Sequence, residues 1–316
     1  MNLSWSRAVG LLLGYGADAL FGDPQSWHPV SGFGKLACEL ERRVYADNRA
    51  AGTLYMATLV GASTATGVCL DRTTRTRPLL NTPVIALATW TALGGRSLGR
   101  EANLVHAHLH RGDLAVAREQ VTHLVGRDPS RLDPNGVARA TVESVAENTS
   151  DAVVAPFFWG AVAGPAGLLG YRAANTLDAM VGHRTPRHGN FGWASARLDD
   201  LLNLAPARLS ALLAAAAAPV VGGRPRKALT AWRRDAGHHP SPNAGPVEAA
   251  FAGALGITLG GVNTYGDTVE DRGTLGEGPA ATPADIRRAV RLANAVGIGA
   301  LSVSVLGAIA RQHRRH

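Results

Sequence analysis

Residues 133–171 decide the fold, and they read DPNGVARATVESVAENTSDAVVAPFFWGAVAGPAGLLGY. Asp133 followed by Pro134 is typical of a helix start, because aspartate caps free N–H groups and proline suits the first helical position. Residues 152–171 carry no charge, and 20 residues are enough to cross about 30 Å of hydrocarbon as a helix. The stretch therefore predicts a charged helix that runs directly into a membrane-length apolar segment.

Charged residues recur every four positions on this predicted helix, at Arg139, Glu143, Glu147 and Asp151. This spacing places them on one helix face, where like charges repel by roughly 0.2–0.5 kcal/mol per pair. We therefore expect a metal ion, an arginine from elsewhere or a cationic ligand against the acidic stripe of Glu143, Glu147 and Asp151. Acids beside a membrane-length segment are a candidate functional site, and a solvated helix face is the alternative interpretation.

The composition favours a membrane protein. Charged residues make up 18% of the chain, below the typical quarter, and the net charge is +8. Abundant alanine and glycine suit close helix packing in a bilayer. The sequence has no signature of a nucleic-acid-binding module, so we expect anionic lipid and a polyanionic substrate as partners, and no nucleic acid. Cys38 and Cys69 have no metal-ligand spacing and are expected to be buried.

Six apolar segments predict about four to six membrane spans in an all-α, polytopic membrane helical bundle with cytoplasmic amphipathic helices and loops. We expect a single integral membrane domain over residues 1–316. Two of the segments, 8–21 and 209–223, are short. Pro156, Gly164 and Pro165 predict that residues 152–171 are kinked or broken. The six segments are 8–21, 52–70, 78–95, 152–171, 209–223 and 292–310.

Three polar segments lie between the apolar ones. Residues 96–128 predict a hairpin of two amphipathic helices, split at Arg111-Gly112-Asp113. Residues 224–243 and 265–281 are rich in proline, glycine and polar residues, and we interpret them as flexible linkers.

Two further polar clusters are candidates for chemistry. Arg172, Asn175 and Asp178 are three residues apart and share a helix face. In the second cluster, Asp199 and Asp200 precede Asn203 by about one turn, which predicts an oxygen-rich Mg²⁺ site. The sequence contains neither a Gly-rich phosphate loop nor a dinucleotide fingerprint, so a bound nucleotide needs arginines and metal for its phosphates.

Six segments in order carry a resemblance to a known family. Together they resemble the CobD/CbiB family, the adenosylcobinamide-phosphate synthases of cobalamin biosynthesis, which are integral membrane proteins. The combination of ESVAENTSD, NTLDAMVG and ASARLDD is highly specific. The segments are GDPQSWHPV (22–30), GRDPSRLD (126–133), ARATVESVAENTSDAVVAPFFW (138–159), YRAANTLDAMVGHR (171–184), NFGWASARLDDLLNLAPARL (190–209) and SPNAGPVEAAFAGALG (241–256).

The resemblance implies an ATP-dependent amide ligase. Its acid substrate is the propionate carboxyl of adenosylcobyric acid, its amine is 1-aminopropan-2-ol or the O-phosphate, and Mg²⁺ accompanies ATP. We further expect a multi-pass protein of the cell membrane, in contact with membrane lipid, whose active site faces the cytoplasm. A homo-oligomer or a complex with other corrinoid-pathway enzymes is also expected.

Chemical reasoning then assigns roles, because acyl phosphate formation needs charge neutralisation and the attacking amine needs a base. We assign metal binding to Asp199 and Asp200, with Asp178 as a further ligand or catalytic group. Glu143 or Glu147 is the expected base, with His28 as the alternative. The expected substrate- and nucleotide-binding residues, of which Arg127, Arg139 and Arg197 would hold phosphate, are Asp23, Arg127, Asp128, Arg139, Asn148, Asp151, Arg172, Asn175, Arg197, Asn203, Arg208 and Asn243.

Two other classes of protein share parts of this pattern. A Mg²⁺-dependent polytopic membrane transferase acting on a phosphorylated lipid would need a second Asp-rich motif, which the sequence lacks. A small-molecule transporter predicts inverted repeats, and the sequence shows none.

Overall fold

The computed structural model describes residues 3–23, 29–126, 128–183, 185–265 and 268–313. These ranges are predominantly helical, and their strands form one antiparallel hairpin, so the prediction of an all-α polytopic membrane bundle is confirmed. The elements are α1 Leu3–Phe21, α2 Pro29–Val44, α3 Arg49–Thr74, α4 Pro78–Ala92, α5 Gly95–His110, α6 Leu114–Val121, α7 Pro134–Thr149, α8 Ala155–Leu177, α9 Trp193–Ala217, α10 Pro225–Asp235, α11 Ala244–Leu255, β1 Leu259–Tyr265, β2 Thr268–Leu275 and α12 Pro283–His313.

Four helical stretches of the described chain are long and apolar enough to cross a membrane. This count agrees with the predicted four to six spans. The segment 209–223 looked short in the sequence, but it belongs to a helix that already begins at Trp193. The first half of that helix contains charged and amide side chains, so the uncharged segment in the sequence is shorter than the helix. The four stretches are Arg49–Thr74, Pro134–Gly182, Trp193–Val221 and Pro283–Ala310.

The chain forms two compact units, each built from several stretches of sequence. Unit 1 comprises Met1–Gly94, Ala155–Asn203 and Leu301–His316, and unit 2 comprises Gly95–Val154 and Leu204–Ala300.

Small residues let the helices of unit 1 approach closely. Helix α1 packs on α4 through Gly10 and Gly14. A Cβ atom at Gly10 would lie 2.6 Å from the side chain of Ile85, and one at Gly14 would overlap Thr89. Glycines four residues apart on one face allow this contact, as the composition led us to expect.

Helix α8 is broken at Gly164 and Pro165, as predicted. Gly164 has φ 61° and ψ −141°, a conformation that glycine adopts readily. Pro165 has no N–H, so the carbonyl of Ala161 loses its helical donor. The guanidinium of Arg7 on α1 replaces that donor, because its Nη1 atom lies 3.3 Å from the Ala161 carbonyl oxygen.

Unit 2 begins with two helices at the place where the helical hairpin is predicted. They are α5 and α6, and Gly112 between them has φ 81°. The centre of the unit is α11, all twelve residues of which are buried. Helix α11 contacts α7, α10 and β2, so elements of unit 2 pack around it.

Two segments interpreted as flexible linkers contain regular structure instead. Residues 224–243 include α10, which directs Ala228 and Ala231 into the core of unit 2. Residues 265–281 include β2, which pairs with β1. In residues 224–243 the proline and polar composition outweighed the helical spacing of the buried alanines, and in residues 265–281 glycine and polar residues concealed the strand. The expectation for the two cysteines is also wrong, because Cys38 and Cys69 are exposed.

Candidate functional site

A chain of hydrogen bonds in unit 1 ends on the carboxylate of Asp199. Asn203 donates to one carboxylate oxygen over 2.9 Å, and Asn175 donates to the other over 3.3 Å. The Tyr171 hydroxyl donates in turn to the Asn203 side-chain oxygen over 2.9 Å. Asp199 is 8% exposed and Asn203 is 1% exposed. We call Tyr171, Asn175, Asp199 and Asn203 the Asp199 network, and it fixes a buried carboxylate in one orientation.

Asp178 lies beside this network, at the first position of a π-helical turn, Asp178–Gly182. Its carboxylate is close enough to Asp199 for the two groups to interact electrostatically. A Cβ atom at Gly182 would overlap the Asp178 carboxylate, so a larger residue at that position would displace this side chain. Because π-turns occur frequently at functional sites, the pair of Asp178 and Asp199 is the strongest candidate centre in unit 1.

The neighbouring charged residues lie at the edge of the Asp199 network. Arg172 places Nη1 3.4 Å from the side-chain oxygen of Asn175, so it supports the amide that donates to Asp199. Arg197 is exposed, and its Nη1 lies 3.5 Å from the carboxylate of Asp200. Consecutive helical residues point about 100° apart. Asp200 therefore faces Arg197, while Asp199 faces the amides.

The donor set suits a magnesium ion that arrives with its own oxygen ligands. Among the described residues, no three His, Cys, Asp or Glu side chains lie together closely enough to hold a metal. Mg²⁺, however, is commonly bound by one or two carboxylates and completed by water and substrate phosphates. Asp178 and Asp199 fit that smaller requirement, whereas Asp200 is directed to Arg197. Metal binding by Asp199 and Asp200 stays a prediction.

In unit 2, the start of the acidic stripe holds the β hairpin. The Glu143 carboxylate, which is buried, accepts a hydrogen bond from the N–H of Gly260 over 2.8 Å. Arg139, one turn earlier on α7, donates to the carbonyl of the same residue. Gly260 and Gly261 have φ 81° and 82°, so glycine is needed where β1 begins. Arg139 and Glu143 thus bind the backbone carbonyl and the backbone N–H of Gly260.

The rest of the stripe is more accessible. Glu147 and Asp151 are only partly buried, and Asp151 lies in a second π-helical turn, Ser150–Val154. Asn148 is held by its amide group, which donates to the carbonyl and hydroxyl oxygens of Ser144. A positive group against the stripe was expected. Glu143 contacts the neutral backbone N–H of Gly260 and Arg139 of its own helix, whose Nε lies 3.9 Å away, so a metal ion, an arginine from elsewhere or a cationic ligand against the stripe stays a prediction.

Arg208 and Asn243 were predicted separately, and the structure brings them together. Arg208 Nη1 donates to the Asn243 side-chain oxygen over 2.9 Å. Asn243 directly precedes α11, and the Ser241 hydroxyl accepts hydrogen bonds from the N–H groups of Asn243 and Ala244. These contacts order the turn that leads into the buried helix.

Sequence reasoning missed a buried ionic cluster in the same unit. Glu248 on α11 is fully buried, with His239 Nε2 3.7 Å and Arg272 Nη1 3.8 Å from its Oε1 atom. Burial and then the charge of Arg272 lower the pKa of His239 to about 4. A lone glutamate inside the apolar run GPVEAAFAGAL was the signal that could have revealed Glu248. We also assigned no role to Tyr171, which completes the Asp199 network.

Four candidates remain. Asp128 is exposed, and hydrogen bonds from the Ser130 backbone and side chain lower its pKa. Asp23, after α1, is partly buried. His28 and Arg127 lie outside the described residues.

Comparison with known proteins is consistent with these motifs. The family model described as CobD/Cbib protein matches residues 11–293. A protein of Mycobacterium tuberculosis (strain ATCC 25618 / H37Rv), named "Cobalamin biosynthesis protein CobD", is 50% identical over 302 residues, covering 95% of this chain and 96% of the relative.

Proteins of the same name from Chromobacterium violaceum and Rhodobacter capsulatus are each 44% identical. The first match covers 93% of both chains, and the second covers 90% of both. No solved structure matches the chain significantly. The family match and these identities over almost the whole length show that the chain belongs to the CobD/Cbib family.

Proposed function

We propose that this protein acts in cobalamin biosynthesis as an ATP-dependent amide ligase. It joins the propionate carboxyl of adenosylcobyric acid to 1-aminopropan-2-ol or its O-phosphate, giving adenosylcobinamide or its phosphate. Family membership and the name shared by its relatives support the pathway. The pair of Asp178 and Asp199 is the structural observation that carries the reaction type, because a carboxylate pair in an apolar setting suits a cation.

The reaction needs two steps, because a free carboxylate is a poor electrophile. The substrate carboxylate first attacks the γ-phosphorus of ATP, which gives an acyl phosphate and ADP. The neutral amine then attacks the acyl carbon, phosphate leaves, and a base removes the proton from nitrogen. Each turnover thus consumes one ATP and releases ADP and inorganic phosphate.

The residues of unit 1 would bind and orient the charged groups. Asp178 and Asp199 would hold Mg²⁺ that arrives with the triphosphate, and that ion would neutralise phosphate charge during transfer. The amides of Asn175 and Asn203 keep the Asp199 carboxylate oriented, so its position is set before substrate binds. Arg197 is exposed and only loosely paired with Asp200, which leaves it suited to contact phosphate.

The acidic stripe would supply the base. Glu143 already accepts a hydrogen bond from Gly260, so its carboxylate is committed to the backbone. Glu147, one turn later and partly exposed, is the better candidate to take the proton of the amine. His28 stays the alternative base.

An assay of the purified protein in detergent tests this function. Adenosylcobyric acid, ATP and Mg²⁺ are mixed with each amine in turn, and ADP, phosphate and the corrinoid amide are measured. We expect amide and ADP in equal amounts, and ADP formation only when the corrinoid acid is present. ADP release that is independent of corrinoid, or transfer of a phosphorylated lipid group without ATP, would contradict the ligase and favour a transporter or transferase.

We also propose that the protein lies in the cell membrane with its active site facing the cytoplasm, where ATP is available. Four candidate spans support the membrane location. Carbonate-washed membranes should retain the chain. In a variant with Cys38 and Cys69 replaced by alanine, because both are exposed, a cysteine placed at exposed Arg197 should react with an impermeant thiol reagent only after the cells are opened.

A further inference from the structure

One face of α3 carries an open apolar groove that the proposed reaction does not use. The groove is shallow and open on one side, and residues of α3 alone line it, among them Gly61, Ala65, Val68 and Cys69. Arg72 and Thr73 lie at one end. Helix α3 is a candidate membrane span, and only 17% of its most apolar window is buried inside the protein. The groove is therefore available to a ligand from the bilayer.

The charged end of the groove has a surplus of positive charge. Arg72, Arg75 and Arg77 are all exposed. No acidic side chain in the described ranges forms an ion pair with any of them, and Asp71 is the one acid nearby in the sequence. Lysine and arginine next to the end of a span attract anionic lipid headgroups, at about 1 kcal/mol each. A phosphate is the complementary group for this cluster.

The dimensions of the groove match a lipid chain. From Val60 to Arg72 a helix rises about 18 Å, slightly more than half of the roughly 30 Å hydrocarbon core. The groove therefore has the length of one leaflet, with its arginines at the headgroup level.

We propose that this groove binds an anionic phospholipid, with one acyl chain along Gly61, Ala65 and Val68 and the phosphate against Arg72 and Arg75. A second copy of the chain is the rival occupant, because small residues four apart also favour helix pairing. Two parallel copies of α3 would, however, bring two sets of three arginines together. The charge distribution favours the lipid.

Two substitutions test the two halves of the groove. Gly61→Leu fills the apolar part, and a Cβ atom at Gly61 would meet nothing within 4 Å, so the fold should be kept. Gly307→Leu is the matched control, since Gly307 on α12 also faces open space. Arg72→Gln combined with Arg75→Gln removes the charged end, and Arg233→Gln, an exposed arginine on α10, is the control for loss of positive charge.

The readouts are thermal unfolding in detergent and native mass spectrometry, with added phosphatidylglycerol or phosphatidylcholine of equal chain length. We expect phosphatidylglycerol to raise the Tm of the wild type and both controls by about 2–4 °C more than phosphatidylcholine does. Phosphatidylglycerol should also remain bound to these proteins in the native mass spectrum. Gly61→Leu and the double arginine variant should lose this difference.

Three outcomes would overturn the proposal. The first is an equal effect of the two lipids on the wild type. The second is a phosphatidylglycerol effect that survives Gly61→Leu. The third is a wild-type dimer that Gly61→Leu converts to a monomer, because the groove would then be an interface between copies. Free glycerol phosphate should reproduce none of the Tm shift, since it lacks the acyl chain.

Discussion

The carboxylate of Glu143 on α7 accepts a hydrogen bond from the backbone N–H of Gly260. This contact links α7 to the start of the β hairpin, 117 residues later. Arg139 binds the carbonyl of the same glycine. Arg139 and Glu143, which the sequence suggested as catalytic or binding residues, therefore hold the backbone of Gly260 in unit 2. This separates Glu143 from Glu147, which the sequence could not distinguish.

Glu143→Ala should destabilise the protein by roughly 1–3 kcal/mol, because the N–H of Gly260 loses its acceptor in a buried position. Glu143→Gln keeps an acceptor oxygen and should lie between the wild type and Glu143→Ala. Thermal unfolding in detergent measures the order of the three proteins. Equal stability of Glu143→Ala and the wild type would show that the contact contributes nothing.

Glu147→Gln should leave thermal stability unchanged or slightly raised without substrate and metal, because one like-charge repulsion on α7 is removed. Ligation should fall by a factor of about 10²–10⁴ if Glu147 transfers the proton of the amine. Full activity together with earlier unfolding would instead identify the stripe as a structural ion network. The catalytic assignment would then move to His28 and Asp178.

Gly182→Ala should lower ligation as Asp178→Asn does, because the new methyl group overlaps the Asp178 carboxylate and displaces it. Gly34→Ala on α2 is the matched control, since its methyl group would only touch Met180 at 4.0 Å. Steady-state rates at saturating ATP provide the measurement. Wild-type rates in both Gly182→Ala and Asp178→Asn would remove Asp178 from the proposed centre.

The Mg²⁺ requirement should rise sharply when either Asp199 or Asp200 is replaced by asparagine, if both bind the ion. The structure also predicts different Tm values for the two variants. Asp199→Asn should also lower the Tm, because one accepting oxygen becomes an amide that faces the donor of Asn175 or Asn203. Asp200→Asn should leave the Tm unchanged. An unaltered Mg²⁺ dependence in both variants would exclude the metal assignment.

The stability of the protein should fall as the pH is lowered from about 6.5 to about 4, because of His239. Its pKa is near 4 in the folded protein and near 6.5 in an unfolded chain. Between these values the unfolded chain binds a proton that the folded one does not, which costs up to roughly 3 kcal/mol. His239→Gln should flatten the change of Tm over this pH range, whereas His238→Gln, an exposed neighbour, should not.

Pattern reasoning predicted the helical class, the break at Pro165 and the pairing of Asp199 with Asn203, because each depends on residues close in sequence. It could not predict that Tyr171 and Asn175 meet that pair, since the contact joins two helices. It likewise missed β1 and β2, whose glycine-rich, polar residues are typical of loops. The π-turns at Ser150–Val154 and Asp178–Gly182 have no recognisable sequence pattern, yet they determine where Asp151 and Asp178 point.

The contact between Arg7 and Ala161 has a consequence for how the protein is made. Arg7 lies in the second turn of the apolar helix α1, and a charged side chain in apolar surroundings is costly unless a polar group compensates it. The carbonyl that compensates Arg7 lies 154 residues later. The guanidinium of Arg7 therefore gains its carbonyl partner only after the broken helix α8 has been synthesised, so the final packing of α1 depends on a later part of the chain.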